Sequence, residues 1–274
     1  MIVLYAVVFP LLGLFLLSFL IYLLLLVRPK KKIAPDPVLL CDYAHRGLHG
    51  DGIPENSLAA FARACENGCG IELDVQLSRD GVVMVFHDAT LVRMTGREGK
   101  LCDYATEELA QMTLADTKEK IPTFAEVLAL VNGRVPLLVE LKGETTNVAL
   151  CPKVAALLQD YKGPYCLESF NPMLLGEMKK YLPDAFRGML YTNVCHEKKS
   201  RSVLNILLTA MALNVIAKPD FIAYNQHYRD SLPVRLTTKL YSAPHFVWTT
   251  RGDREREIAR TLGEHAIFEL YEKK

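Results

Sequence analysis

The sequence predicts an α/β protein: a (β/α)8 TIM barrel with a small helical insertion after strand 2, preceded by one N-terminal transmembrane helix. Strand-like apolar runs alternate with amphipathic helical stretches, an Asp-Gly turn joins two strands directly, and the first 27 residues carry no charge. Alternating strands and helices indicate a parallel sheet, and eight strands in about 235 residues are typical of a closed barrel. An open doubly wound sheet is the alternative, but no glycine-rich phosphate loop opens a helix.

The uncharged run Ile2–Val27 predicts the transmembrane anchor. As a helix it is about 39 Å long, enough to cross a hydrocarbon core of about 30 Å with some tilt. A signal peptide is the alternative, with a shorter apolar region and basic residues in front of it. Here the basic residues follow the run, within Arg28–Lys32. We therefore expect an uncleaved anchor over residues 1–32 and a proline-containing linker over residues 33–39.

The four basic residues in Arg28–Lys32 also predict the topology, because positive charge beside a span stays in the cytoplasm. We expect a single-pass membrane protein with a cytoplasmic domain over residues 40–274, and contact of these residues with anionic lipid headgroups. Without these four, 28 of the 32 Lys and Arg remain against 31 Asp and Glu, a net charge near −3. This excludes a basic nucleic-acid-binding protein. Seven cysteines without zinc-site spacing suit a reducing compartment.

The secondary structure is read from these alternating patterns. The eight barrel strands are expected at Leu40–His45, Ile71–Gln76, Leu137–Lys142, Tyr165–Phe170, Arg187–Tyr191, Phe221–Asn225, Phe246–Thr250 and Ala266–Leu270. Helices are expected at Ser57–Asn67, Thr123–Val131, Val148–Tyr161, Met173–Tyr181, Ser202–Ala217 and Arg254–Gly263.

One further strand, Val82–His87, lies outside the barrel set. Only Arg79–Gly81 separates it from the second strand, and a three-residue link cannot join parallel strands. Asp-Gly is a strong hairpin signal, so this arm folds back antiparallel and brings His87 beside Glu72 and Asp74. The helical insertion follows the arm, over about residues 89–122.

Acidic residues stand at the ends of two predicted strands. Glu72 and Asp74 are two apart and share one face of a strand. Two buried carboxylates repel each other unless a cation lies between them, and such oxygen ligands suit Mg²⁺ or Ca²⁺. Glu140 and Lys142 end the third strand, at the rim where barrel enzymes build their sites. His45 and Arg46 end the first strand, and the set is typical of phosphoryl chemistry.

At this point the motifs resemble those of a known family. In order, they are "AHRG", "PENSLAAF", "IELDVQLSRDGVVMVFHD", "IPTFAEVL", "LLVELKG" and "VWTTR". From Tyr43 to the C-terminus the chain resembles glycerophosphodiester phosphodiesterases, as a membrane-anchored, bacterial-type member. The resemblance implies one divalent cation held by Glu72, Asp74 and Glu140. It also implies acid–base catalysis by His45 and His87, and phosphate binding by Arg46 and Lys142.

Two further candidate residues, and two departures from the family, concern the substrate. Glu55 either orients Arg46 or meets the substrate, while its neighbour Asn56 is a candidate helix cap. Trp248 either lines the pocket for the alcohol group or packs in the barrel. The family more often has Trp-Thr-Val-Asn where this chain has "WTTR", and an aspartate where the last strand reads "AIFELYEKK".

The resemblance implies metal-dependent hydrolysis of glycerophosphodiesters to an alcohol and sn-glycerol 3-phosphate. A lysophospholipase D-type or cyclising phospholipase activity on membrane lysolipids is one alternative. A catalytically silent, membrane-tethered binding module is another, although the proposed ligands and histidines are all present. The apolar run Val203–Ala217 is expected to be a helix buried between the barrel and the insertion, or under a loop; the other interpretation is contact with the bilayer beside the active-site mouth.

Overall fold

The computed structural model describes residues 2–30, 35–143 and 147–270, and these contain a closed barrel of eight parallel strands. In chain order the strands, including one antiparallel arm, are β1 Tyr43–Ala44, β2 Gly70–Leu77, β3 Val83–Val85, β4 Leu137–Leu141, β5 Tyr165–Ser169, β6 Phe186–Tyr191, β7 Phe221–Asn225, β8 His245–Arg251 and β9 His265–Glu269. β1 pairs with both β2 and β9, which closes the barrel. The predicted fold class is confirmed.

The helices surround the barrel or build its insertion. They are α1 Ile2–Ile21, α2 Leu58–Glu66, α3 Val92–Thr95, α4 Thr106–Leu109, α5 Phe124–Val131, α6 Leu150–Asp160, α7 Pro172–Tyr181, α8 Val194–Glu197, α9 Val203–Thr209, α10 Asn214–Ala217, α11 Leu232–Arg235 and α12 Gly252–Thr261. Short 3₁₀ turns lie at Pro37–Leu39, Leu101–Asp103 and Gln226–Tyr228, and π-helical turns at Tyr22–Leu26 and Leu236–Leu240.

The first strand is much shorter than the predicted Leu40–His45. The backbone N–H of Ala266 in β9 donates to the Asp42 side chain, at 2.9 Å, so a carboxylate replaces the main-chain pairing there. Because β1 is short, it pairs only with the start of β2, and the carboxyl-terminal part of β2 has no parallel neighbour on that edge. β3 occupies that edge, with Val75 opposite Val85 and Leu77 opposite Val83.

The hairpin turn forms as the Asp-Gly signal predicts. Gly81 has a φ of +79°, a conformation that favours glycine, and the Ser78 N–H donates to the Val82 carbonyl across the turn. The paired part of the arm ends at Val85, shorter than the predicted Val82–His87. Beyond it, one backbone hydrogen bond remains, from the Phe86 N–H to the Asp74 carbonyl at 2.9 Å, and the Gln76 side-chain amide donates to the carbonyls of residues 86, 87 and 88 at 2.8–3.2 Å.

The core has three parts. The largest lies between the barrel and its helices and contains the outward residues of β2, Leu73 and Val75. A second fills the barrel interior near the amino ends of the strands, the lower interior, with large aromatic side chains, among them Tyr43, Phe221 and Phe246. The third, containing Met94 and eight other buried residues, lies between the hairpin arm and the insertion. The insertion therefore stabilises the arm that carries His87.

The N-terminal helix is long and apolar enough to cross a membrane, over Val7–Leu26. Its last turn packs on the barrel: Val27 is buried, and its carbonyl accepts a hydrogen bond from the Asn214 side chain at 2.9 Å. Lys30 forms an ion pair with Asp220 at 3.6 Å. Lys31 and Lys32 of the basic flank, the linker residues 33–34 and the chain end 271–274 lie outside the described residues.

The predicted helix Ser202–Ala217 is divided into α9 and α10. Met211, between them, has a φ of +50°, which a continuous right-handed helix cannot contain. The expectation that the whole run is buried is wrong for α9, where Val203, Leu204 and Ile206 are exposed. Met211 and Ala212 are buried, so the run is anchored at its middle and exposed at its start.

Candidate active site

Four buried carboxyl groups line the upper interior of the barrel on three adjacent strands. In the strand register Asp74 lies opposite Glu140, and Glu140 lies opposite Glu168. Glu72 is two residues before Asp74 on β2 and shares its inward face. Oxygen atoms of Glu72, Asp74 and Glu140 all lie within 4.8 Å of one another. The structure thus brings together the three predicted metal ligands.

Asp74 has more positive groups around it than Glu72 or Glu140 has. Lys142 Nζ lies 3.0 Å from Asp74 Oδ1 and 2.8 Å from Glu140 Oε1. The Asn56 side-chain amide donates to Asp74 Oδ2 at 2.7 Å. Burial would raise the pKa of Asp74, but Lys142, His87 and Arg46 outweigh it and hold that pKa well below its usual range. Asp74 is therefore ionised under all ordinary conditions.

The pKa values of Glu72 and Glu140 are shifted in the opposite direction, upward. Burial, together with Asp74 and Glu140, raises the pKa of Glu72 well above its usual range. Burial raises the pKa of Glu140 to about 7, with Lys142 acting against it. Three convergent carboxylates with too few opposing charges are a donor set suited to a hard divalent cation. The residues present therefore fit the cation that the sequence predicts.

His45 is oriented by the last strand. Its Nδ1 lies 2.7 Å from Glu269 Oε1, and Glu269 Oε2 accepts a hydrogen bond from Arg251 Nε at 2.9 Å. The bond with His45 lowers the pKa of Glu269 to about 2, so this carboxylate stays charged. Burial lowers the pKa of His45, partly offset by Glu269. Nδ1 is thus held by the carboxylate, and Nε2 is left for chemistry.

His87 has an equivalent arrangement at the end of the hairpin arm. Its Nδ1 lies 2.7 Å from Asp88 Oδ1, and both oxygens of Asp88 accept hydrogen bonds from Arg93. Burial lowers the pKa of His87, while Asp74 acts against it. The hairpin therefore places His87 next to the acidic cluster, as its turn predicts, and the Gln76 amide fixes the backbone on which it stands.

Arg46 lies between the acidic cluster and the carboxylate of Glu55. Its Nη1 donates to Glu55 Oε1 at 2.7 Å, and its backbone N–H donates to Glu72 Oε2 at 2.7 Å. Arg93 also donates to both oxygens of Glu55, so Glu55 joins two arginines. The structure thus places Glu55 where it orients Arg46. Gly47 follows Arg46 with a φ of +81°, and a Cβ there would lie only 2.9 Å from Ala60 Cβ. Glycine therefore allows the turn that places Arg46 beside the cluster.

Trp248 lies at the upper end of the barrel interior. Its indole N–H donates to the Ala223 carbonyl at 3.1 Å, and its ring meets Phe170 edge-to-face, with centroids 5.6 Å apart. Phe170 directly follows β5 and is partly exposed. The structure thus shows Trp248 packed in the barrel against a partly exposed aromatic ring; its part in an alcohol pocket stays a prediction.

Several residues of this site lie beyond the sequence prediction. Glu168, Asp88, Arg93, Arg251 and Glu269 contribute to it. The sequence contains a signal for two of them: Glu168 is a charged residue within an apolar strand, and Asp88 directly follows a candidate histidine. Arg251 and Glu269 are the two departures from the family motifs, and they pair with each other. Asn56 does not cap α2, because Ser57 takes that position and accepts from Ala60 N–H.

Comparisons with known proteins agree with this geometry. The sequence profile of the Glycerophosphoryl diester phosphodiesterase family matches residues 45–269. A glycerophosphodiester phosphodiesterase from Caldanaerobacter subterraneus subsp. tengcongensis is 37% identical over 163 residues, which cover 54% of this chain and 65% of that protein. One from Bacillus altitudinis is 39% identical over 167 residues, covering 57% and 68%. The chain therefore spans less than two thirds of the length of the first of these relatives.

Solved structures share the fold. An Oleispira antarctica phosphodiesterase, solved in complex with the product sn-glycerol 3-phosphate, superimposes with a TM-score of 0.69 at 23% identity, covering 84% of this chain and 92% of that one. A glycerophosphodiester phosphodiesterase from Thermotoga maritima gives a TM-score of 0.63 at 25% identity, covering 84% and 94%.

Proposed function

The chain belongs to the glycerophosphoryl diester phosphodiesterase family, and we propose that it hydrolyses glycerophosphodiesters to an alcohol and sn-glycerol 3-phosphate. One observation carries the proposal. A cluster of convergent carboxylates has two carboxylate-held histidines beside it, and a guanidinium and an ammonium group within reach. Two histidines with lowered pKa values suit proton transfer near neutral pH.

We assign Glu72, Asp74 and Glu140 as the residues that hold one divalent cation, Mg²⁺ or Ca²⁺. Such an ion supplies positive charge against the phosphate oxygens when bound. Support comes from the oxygen-only donor set and from the raised pKa values of Glu72 and Glu140, which a cation would relieve. Asn56 keeps the Asp74 carboxylate in its orientation by a direct hydrogen bond.

Arg46 and Lys142 are the proposed phosphate-binding groups. Both are already positioned by carboxylates, Arg46 by Glu55 and Lys142 by Glu140, so neither must be ordered when substrate arrives. Their charges stabilise the additional negative charge that develops on the phosphate oxygens as the new P–O bond forms. Glu55 acts here through Arg46.

His45 and His87 are the proposed acid–base pair. One ring, neutral at Nε2, takes the proton of the nucleophile, which is water or the glycerol 2-hydroxyl. The other ring, protonated, donates its proton to the alkoxide that leaves as the P–O bond breaks. With the hydroxyl as nucleophile, a cyclic phosphate forms and water then opens it, with the two roles exchanged. Trp248 and Phe170 border the region that the alcohol group would occupy.

A decisive test is choline release from glycerophosphocholine by the full chain, with and without a chelator. We expect His45→Ala and His87→Ala each to lower kcat by at least about 100-fold. A matched control is His245→Ala, at the amino end of β8 and so at the opposite end of the barrel. Full activity in the chelator, or in either active-site variant, would rule the mechanism out.

A second substrate class, membrane lysophospholipids, is favoured by the exposed apolar side chains of α9. This helix follows the carboxyl end of β6, on the side of the barrel where the proposed site opens. Comparing lysophosphatidylcholine with glycerophosphocholine as substrates separates the two activities. Turnover of only the water-soluble diester would exclude the lysophospholipase D-type activity.

We also propose that residues 1–32 form a single membrane anchor and that the barrel domain, residues 40–274 with its insertion over about 89–122, is cytoplasmic. The length of the apolar helix and the basic residues that follow it support this. Protease added to intact cells is expected to leave the domain uncleaved. Degradation from outside would overturn the orientation.

A further inference from the structure

A group of exposed apolar side chains lies where the barrel opens. We define the rim surface as Val203, Leu204 and Ile206 of α9, which are 75%, 58% and 48% exposed. The opposite side of α9 is tied to the protein, because Thr209 Oγ1 accepts a hydrogen bond from the backbone N–H of Cys195, in α8. Since α8 begins three residues after β6 ends, α9 stands at the carboxyl-end side of the barrel.

The anchor runs along the same side of the barrel in a defined direction. The Tyr22 hydroxyl donates to the Ala210 carbonyl at 2.9 Å, next to the end of α9. Eight residues later, the Lys30 N–H donates to the Pro219 carbonyl at 2.8 Å, two residues before β7 begins. Ala210 and Pro219 belong to the crossover from the carboxyl end of β6 to the amino end of β7, so the anchor runs toward the amino end of the strands. Traced backwards, α1 must leave the barrel on the side of the site's opening.

The length of α1 fits this arrangement. Its 20 residues, Ile2–Ile21, end immediately before the tyrosine that contacts the barrel. A helix of that length rises about 30 Å, the thickness of a hydrocarbon core. A tyrosine at its end is typical of the membrane–water interface. Since Ala210 directly follows α9, the end of that helix lies where the anchor meets the barrel, and we expect the membrane surface near this level.

Basic residues beside the rim surface also favour contact with a membrane. Lys198, Lys199 and Arg201 are exposed and directly precede α9. A short apolar helix next to several basic residues is suited to the headgroup region, where the apolar side chains enter the acyl boundary and the cations meet anionic lipids.

We propose that the rim surface docks on the leaflet that the anchor enters, so that the active-site opening faces the lipid headgroups. The inference rests on the proposed membrane anchoring. It deepens the proposed function by stating how a lysophospholipid would reach the site: its acyl chain remains in the membrane while the headgroup enters the barrel. Contact at α9 holds the opening at a fixed height, which the anchor alone, joined at one edge of the barrel, does not.

The test uses the full chain reconstituted in vesicles of phosphatidylcholine and phosphatidylglycerol with brominated acyl chains. Tryptophan is introduced separately by Leu204→Trp, by Leu14→Trp in the anchor, and by Leu262→Trp. Leu262 is similarly exposed, at 51%, but precedes β9 at the opposite end of the barrel. Fluorescence is corrected for Trp248, the single native tryptophan.

We expect quenching at residues 14 and 204 and none at 262. Equal fluorescence at 204 and 262 would overturn the docking. Absence of quenching at residue 14 would overturn the anchoring and the docking with it. Neither result depends on catalysis, so the failure of this inference is distinguishable from a failure of the proposed hydrolysis.

Activity provides the second measurement. Leu204→Glu is expected to lower kcat/KM for vesicle-bound lysophosphatidylcholine about fivefold and to leave soluble glycerophosphocholine turnover unchanged, because the charge removes the apolar contact. Leu262→Glu should change neither. An equal loss on both substrates would contradict a docking role for α9, and wild type inactive on both would contradict the proposed function alone.

Discussion

Glu269 and His45, separated by 224 residues in the sequence, form a direct 2.7 Å contact between a carboxylate oxygen and Nδ1. Arg251 holds the other oxygen of Glu269. Because the pKa of Glu269 is lowered to about 2, the carboxylate is ionised throughout the range in which a histidine titrates. It therefore fixes the ring orientation and favours the protonated form of His45.

Replacing Glu269 by Gln should change the pH dependence of the reaction. Burial lowers the pKa of His45 and the Glu269 charge partly restores it, so losing that charge lowers the pKa of His45 further. The limb of the kcat/KM profile that reports His45 is expected to shift to lower pH by about one unit. Glu257→Gln, at an exposed pair with Arg260, is the control. An unshifted profile, or one moved to higher pH, would contradict the role assigned to Glu269.

Glu140 and Glu168 face each other across adjacent strands but should differ in cation binding. The oxygens that converge within 4.8 Å belong to Glu72, Asp74 and Glu140, and Glu168 is outside that group. Burial also raises the pKa of Glu168 well above its usual range, which favours the uncharged form that a glutamine resembles. We expect Glu168→Gln to bind the cation within about twofold of wild type, whereas Glu140→Gln loses at least about 10-fold in affinity. Calorimetric titration with Mg²⁺ and Ca²⁺ measures both, and equal losses would make Glu168 a further ligand.

The parts of this site that follow local rules were predictable from the sequence. Strand alternation places Glu72 and Asp74 on one face, and an Asp-Gly turn with equal arms returns His87 to them. Eight strand patterns specify the barrel, and the carboxyl ends of its strands specify where the site lies. These features depend on residues fewer than about 20 positions apart, for which periodicity and turn chemistry are informative.

The remaining features depend on pairings that no local pattern specifies. Glu269 reaches His45 only because β9 closes the barrel against β1, and Arg93 reaches Glu55 only because the insertion folds back over the rim. The apolar run around α9 has no amphipathic period, so composition could not separate burial from exposure. Its division depends on the left-handed backbone of Met211.

Cation binding should stabilise the folded protein, and this effect should weaken as the pH falls. At a free cation concentration of 100 times Kd, the free energy of unfolding rises by about 2.7 kcal/mol. For a domain of this size the corresponding increase in Tm is about 5–10 °C. Because the pKa of Glu72 is raised, protons compete with the cation below that pKa, and the increase shrinks toward acidic pH.

Thermal unfolding in detergent, with and without Mg²⁺ or Ca²⁺, measures this effect. Glu72→Gln is expected to abolish the increase in Tm while leaving the Tm without cation near that of wild type, since the raised pKa of Glu72 favours the uncharged form that glutamine resembles. Glu177→Gln, at a surface pair with Lys180, serves as the control. A cation-induced increase that survives in Glu72→Gln would contradict the ligand assignment.

The lower barrel interior should tolerate no added volume at Gly188. On β6, a Cβ at this position would lie 1.9 Å from Phe221 Cε2, and Phe221 is fully buried among other aromatic rings. Gly188→Ala is therefore expected to destabilise the protein by about 3 kcal/mol, at the upper end of the cost of overpacking. Gly13→Ala, inside α1, where the added methyl group meets no heavy atom within 4 Å, should not lower stability, because alanine favours a helix more than glycine does.

Urea denaturation followed by circular dichroism compares these variants by their midpoints. Adding Phe221→Leu to Gly188→Ala should recover part of the loss, because the smaller side chain makes room for the methyl group while Phe221→Leu alone removes packing. Such coupling identifies direct contact as the cause. An unchanged midpoint in Gly188→Ala, or strictly additive losses in the double variant, would mean that the layer formed by Phe221 and its neighbours is not closely packed at this position.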